Sequence, residues 1–149
     1  MMVRAEFTGG LPANSKIGFH IHTDAFDGTD CSSTGGHYNP QGVDHGAWFN
    51  QSDMRHVGDF KQLWVDQSGA ASYRYQDNQA SLYETDDRYD FDTFVGGRGM
   101  VIHMGTDDEG NGGDAGSMAS GNAGPRLACC TITIVDEDTF DDTHFRDIN

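Results

Sequence analysis

Six of the seven histidines in this 149-residue chain lie between Phe19 and Met104. His20 and His22 stand two apart in Gly18-Phe19-His20-Ile21-His22. On a strand, both rings leave one face while Phe19 and Ile21 turn to the other, which makes a two-toothed clamp for one ion. In Arg55-His56-Val57-Gly58-Asp59 the spacing of His56 and Asp59 lets a turn before a strand present an imidazole and a carboxylate together. His37, in Gly36-His37-Tyr38-Asn39-Pro40, His45 and His103 add three further imidazoles. Brought together, this set can hold two first-row metals, with copper and zinc the best-matched pair. Arg126 stands apart; its guanidinium offers a fixed charge and paired donors suited to docking an anion.

Strands must position these groups. Val3–Thr8 and Ile17–His22 alternate with the two-residue period of strands, separated by a Gly-Gly-Leu-Pro turn region. Lys61–Asp66 and Ala71–Gln76 read as a hairpin around Gln67-Ser68-Gly69. Met100–His103 and Thr131–Val135 complete the set. Asp24–Asp53 is irregular and long for a compact domain, but it carries Cys31, His37 and His45, so staples are visible. Asp107–Gly124 is a second long loop. Strands, two long loops and no helical period predict an all-β protein, an antiparallel sandwich or flattened Greek-key barrel. The chain divides into a domain over 1–135 and an acidic tail over 136–149, which is either a solvated tail or, with Phe140, His144 and Phe145 as anchors, docks on a neighbour.

Composition narrows the function. The chain has 24 acidic and 9 basic residues, a formal charge of −15. This excludes nucleic-acid binding by phosphate neutralisation and opposes docking on anionic membranes. No stretch reaches the roughly 18 apolar residues that a membrane-spanning helix needs. Met1 to Phe7 lacks the apolar core of a secretory signal. The Asn50-Gln51-Ser52 sequon matters only for a secreted protein. Of the three cysteines, Cys129 and Cys130 are strand neighbours and point to opposite faces. Whichever is left unpaired is expected to be a small buried hydrophobe, with an intermolecular link as the alternative.

The strings quoted above, together with Gly121-Asn122-Ala123-Gly124-Pro125-Arg126-Leu127-Ala128-Cys129, resemble the copper/zinc superoxide dismutase family from about Val3 to Val135. The resemblance implies copper held by His20, His22, His37 and His103, and zinc held by His37, His45, His56 and Asp59. His37 is then the bridging ring. Asp107 resembles the aspartate that links a copper-ligand histidine to a zinc-ligand histidine, here His20 to His45. The implied disulfide is Cys31–Cys129. The implied reaction converts superoxide to dioxygen and hydrogen peroxide, with Arg126 docking the anion and His37 handling a proton. Against the family pattern the chain lacks the first β-hairpin of the barrel, and the bare sheet edges this would leave imply a homo-oligomer or larger assembly, a sequence that is only part of the natural protein, or a reorganised fold, the first two favoured.

Electrostatics depart from a fast dismutase. Met104 to Pro125 contains Asp107, Asp108, Glu109 and Asp114 but neither lysine nor arginine. The expectation is therefore activity slower than in an electrostatically steered relative. The alternative is a non-enzymatic, self-assembling metal-binding protein, similar to the acidic haemolymph proteins of bivalves, the cavortin and pernin type. A secreted location is favoured, with the cytoplasm as the alternative.

Overall fold

Apolar runs bounded by glycine and turn residues set seven short strands in the computed structural model, which describes residues 1–84 and 87–135. They are β1 (Met2–Phe7), β2 (Ser15–Ile17), β3 (Phe19–His22), β4 (Leu63–Val65), β5 (Ala71–Gln76), β6 (Gly99–His103) and β7 (Arg126–Thr131). All pairings are antiparallel: β1 with β5, β2 with β4, and β3 with β6, which also pairs with β7. The all-β sandwich is as expected.

β2 and β3 follow one another across Gly18, so one extended run takes β4 as its neighbour at the start and β6 at the end. Ile17, Phe19, Ile21 and Leu63 from this side meet Tyr73 and Tyr75 of β5 in a single buried core. Phe19 packs edge-on against Tyr73, with ring centroids 5.1 Å apart. Each such side chain contributes roughly 1.5–3 kcal/mol on burial. His20 and His22 are buried too, on the opposite face of β3. One strand thus separates the apolar core from a polar centre.

Loop segments finish the open edge of β3. Tyr38 N–H donates to Ile21 O, Ile21 N–H to Gly58 O, and Gly58 N–H to Tyr38 O. This brings His37 beside His22 and Asp59 beside His20. Gly58 is required here, because a Cβ would collide with the carbonyl oxygen of Ile21.

Four sequence expectations are corrected. The last strand is β7 (Arg126–Thr131), not Thr131–Val135; Ile132 still bonds Gly97 and Arg98 through its backbone, but the ladder begins at Arg126. β4 and β5 do flank a tight turn closed by Asp66 and Ala70, yet they pair with different strands and form no hairpin ladder. The second long loop contains a one-and-a-half-turn helix, α1 (Ala115–Ser120), capped by Asp114, whose carboxylate accepts from Ser117 N–H. Six residues are too few to leave a helical period in the sequence. Finally, Cys130 is exposed rather than buried. The acidic tail 136–149, with His144, lies outside the described residues.

Candidate metal centre

Each ring at the centre has one nitrogen committed to a protein oxygen; for His37 it is Nδ1, 2.9 Å from Asp59 Oδ1. His22 Nδ1 lies 2.9 Å from Gly35 O, His103 Nδ1 3.0 Å from Gly124 O, and His56 Nε2 3.0 Å from Val43 O. Asp107 spans two rings, with Oδ2 2.7 Å from His20 Nε2 and Oδ1 2.8 Å from His45 Nε2. Carbonyls and carboxylates only accept, so these nitrogens carry the protons and the opposite nitrogens expose lone pairs. Those lone pairs converge. His20 Nδ1, His45 Nδ1 and His56 Nδ1 are buried without a hydrogen-bond partner, and so is His37 Nε2.

Two groups result. His20, His22, His37 and His103 bring four ligand atoms within 4.8 Å of one another, and His37, His45, His56 and Asp59 do the same. His37 belongs to both. In the second group Asp59 Oδ1 lies 2.9 Å from His37 Nδ1, 2.9 Å from His45 Nδ1 and 3.0 Å from His56 Nδ1. For His45 and His56 the nitrogen so placed is the bare one. Acceptor faces acceptor across a dry gap, a conflict that a cation seated between them resolves. In the first group His22 Nε2 and His103 Nε2 oppose each other at 3.4 Å in the same way. Three nitrogens and one oxygen suit tetrahedral zinc; four imidazoles suit copper. The residues fit both ions.

The protonation states of four of the rings agree with this. Burial, reinforced by the neighbouring His37, pushes His20 down to about 3 and His22 to about 2. Burial likewise lowers His37 and His103. These rings are neutral lone-pair donors at physiological pH. Burial opposes a charge on Asp59, yet the three imidazoles around it, His37, His45 and His56, hold its carboxyl well below the usual carboxylate range. His45, caught between Asp107 and Asp59, is pushed up to about 10 despite its burial. A metal cation would take the place of that proton.

Gly121 permits the Asp107 bridge: it adopts φ 66°, and a Cβ there would strike both Asp107 Oδ1 and His45 Nε2. Arg126, at the first position of β7, sits beside the His22 end. Its Nη2 donates to Gly35 O, the same carbonyl that meets His22 Nδ1, and its Nη1 donates to Cys31 O and Thr34 Oγ1. The disulfide Cys31–Cys129 closes this corner, with Cα atoms 5.7 Å apart. Thr29, Asp30, Ser32 and Arg126 line an open depression of about 550 Å³. A second depression, under α1, is lined in part by His37 and His56.

Three positioning groups carry no mark in the sequence. Arg55 is fully buried, bonding Asp77 at 2.8 Å and the carbonyl of Asp59 at 2.9 Å. The Gln62 carboxamide clasps the backbone of Asp107 on both sides, donating to its carbonyl and accepting from its N–H, each at 2.9 Å. Asp30 lies in the Arg126 depression because it caps the 3-10 turn Cys31–Thr34 through Ser32 N–H. Only the carboxylate at Asp30, one residue before Cys31, could have drawn attention as a charge beside Arg126.

Comparison with known proteins gives a consistent result. A family model described as copper/zinc superoxide dismutase matches residues 1–132. A Cu-Zn superoxide dismutase of Neurospora crassa is 42% identical over 125 residues, 84% of this chain and 75% of that protein. One from Claviceps purpurea is 43% identical over the same length and shares of each chain. An extracellular Cu-Zn superoxide dismutase of Caenorhabditis elegans is 43% identical over 128 residues, 86% of this chain and 53% of that protein.

Proposed function

The chain belongs to the copper/zinc superoxide dismutase family, and from that premise we propose that it converts superoxide to dioxygen and hydrogen peroxide with its own histidine and arginine side chains. The observation that carries this reading is the convergence of buried imidazole nitrogens without hydrogen-bond partners in two groups that share His37. His20, His22, His37 and His103 would hold copper; His37, His45, His56 and Asp59 would hold zinc. Copper supplies the one-electron couple and zinc a fixed positive charge.

The protein does the rest. Asp107 fixes the tautomers of His20 and His45 together, so both bare nitrogens face inward. Arg126 keeps Nε–H and one Nη2–H beyond its three recorded bonds, donors enough for a diatomic anion. Its anchoring to Cys31 and Gly35 keeps that fork from swinging away. His37 would hold a proton at Nε2, the buried nitrogen without a protein partner, for delivery to the reduced oxygen product. The Cys31–Cys129 disulfide fits an oxidising compartment, which favours a secreted location for this chain.

A second reading, a non-enzymatic and self-assembling metal-binding protein of the bivalve haemolymph type, draws on the formal charge of −15 and on α1, which carries no charged side chain. Copper and zinc per chain, measured on protein purified without added metal or chelator, separates the two. One of each, with superoxide turnover that falls at least tenfold in Arg126→Ala while both metals stay bound, supports the dismutase. Zinc alone, with negligible turnover after copper is supplied, supports the carrier. Unchanged turnover in Arg126→Ala removes Arg126 from the mechanism.

A further inference from the structure

A side chain outside both ligand groups grips the strip that carries His37. The ladder of β3 and β6 sets His22 opposite Gly99, which brings Arg98 level with Thr23, the residue after His22. From there the Arg98 side chain reaches across the strand end. Its guanidinium carbon sits 3.5 Å from the ring centroid of Tyr38, the residue after His37. Its Nη1 donates to Thr23 O at 3.1 Å, its Nε to Phe94 O at 2.7 Å and its Nη2 to Asp92 Oδ2 at 2.9 Å. The ion pair with exposed Asp92 contributes little by itself; it aims the guanidinium. Arginine suits this task because a rigid plane can cover a ring with its face and donate from its edges at once.

Two routes lead from this one side chain to His37. The first runs through Tyr38. Its buried ring is covered by Arg98 and fixed at its far end, where the hydroxyl donates to Asp92 O at 2.8 Å. Tyr38 N–H and O are the groups that bond Ile21 and Gly58, so a ring that cannot turn steadies the backbone just after His37. The second route runs through Thr23. Its N–H donates to Gly36 O at 2.9 Å and its hydroxyl to His37 O at 3.3 Å. The two metal groups feel this grip unequally. The group of His20, His22, His37 and His103 has two members next to it, His22 beside Thr23 and His37 beside Tyr38. The other group has only His37; among the described residues His45, His56 and Asp59 make no bond to Arg98.

We propose that Arg98 is a positioning residue for the copper group: by holding Thr23 and Tyr38 together it sets His37 against His22. This rests on the dismutase reading, which gives both rings to one copper ion. Arg98 touches neither ion nor substrate and acts only through its two neighbours.

Arg98→Lys tests this, because lysine keeps the charge and loses the plane. Amide hydrogen exchange on the metal-free full chain reads the strip directly. Tyr38 and Gly58 N–H should exchange about tenfold faster in the variant, while the amides of β6 keep their wild-type rates. On the loaded chain, chelator competition should show copper affinity down roughly 10–100-fold and zinc affinity down by no more than about threefold. Asp92→Asn is the milder variant. It keeps an oxygen for Phe94 N–H but turns an amide donor against the guanidinium, and should give the same split at smaller size. Circular dichroism checks the fold of both. Exchange rates and copper affinity equal to wild type in Arg98→Lys overturn the proposal. So does an equal loss of both metals, the mark of general loosening rather than of a misplaced ring. A wild-type chain that takes up no copper overturns the dismutase reading and the proposal with it, a failure visible before any variant is made.

Discussion

Asp107 does at one carboxylate what would otherwise need two. Its oxygens fix His20 and His45 from opposite sides of the centre, and Gln62 fixes its backbone. Asp107→Asn leaves one accepting oxygen and turns an amide donor against the second imidazole N–H. One ring must then change tautomer and lose its inward lone pair. Metal affinity should fall by roughly 10–100-fold, as measured by competition with a chelator of known affinity. Asp30 acts in the other direction. Its carboxylate shares the depression with Arg126 and repels an anion arriving there. Asp30→Asn keeps an oxygen to accept Ser32 N–H, so the turn retains its cap while the charge goes. Superoxide turnover at low substrate should rise about two- to fivefold, a modest gain because the charge is exposed and screened. No change would place the anion's path elsewhere.

At the level of elements, the strip from Cys31 to Gly35 joins the disulfide to the guanidinium and, through Gly35 O, to His22. Cys31→Ser should therefore do two things. It removes a cross-link over 98 residues, worth on the order of 4–5 kcal/mol in the chain-entropy model, which a denaturant titration measures. It also frees the strip that anchors Arg126, so turnover should fall more than metal content does. The two-residue spacing of His20 and His22 made their shared face legible in sequence, because strand periodicity is local. The partners of β4 and β5 were not legible, since a tight turn between two strands looks the same whether they pair with each other or with distant ones. β7 was placed too late because Arg126-Leu127-Ala128-Cys129 shows no alternation: its residues are half-buried or exposed on both faces. Exposure of Cys130 belongs to the same pattern, since no residue of β7 is fully buried. Arg55 and Gln62 carried no local signal at all; their roles exist only once Asp77 and Asp107 are folded against them.

For the whole molecule the deciding quantity is the field an approaching anion meets. A formal charge of −15 is repulsive at long range, and the segment over the site offers no lysine or arginine between Met104 and Pro125. Arg126 supplies attraction only close in, and Asp30 shares its depression. Screening removes the long-range part first: the Debye length shrinks from roughly 30 Å at 10 mM salt to about 8 Å at 150 mM. In a cleft with net attraction that change slows capture of an anion, because the steering field is what is lost. Here the field lost is repulsive, so the sign reverses. The second-order rate constant for superoxide should rise with ionic strength across this range, most steeply below 50 mM, and level off once only the neighbourhood of Arg126 is felt. Pulse radiolysis on the metal-loaded protein at a series of salt concentrations measures it directly. A rate that falls with salt would mean that the local charge of Arg126 and the bound ions outweighs the acidic surface even at long range. A rise would mark the chain as a dismutase that captures its substrate against its own field.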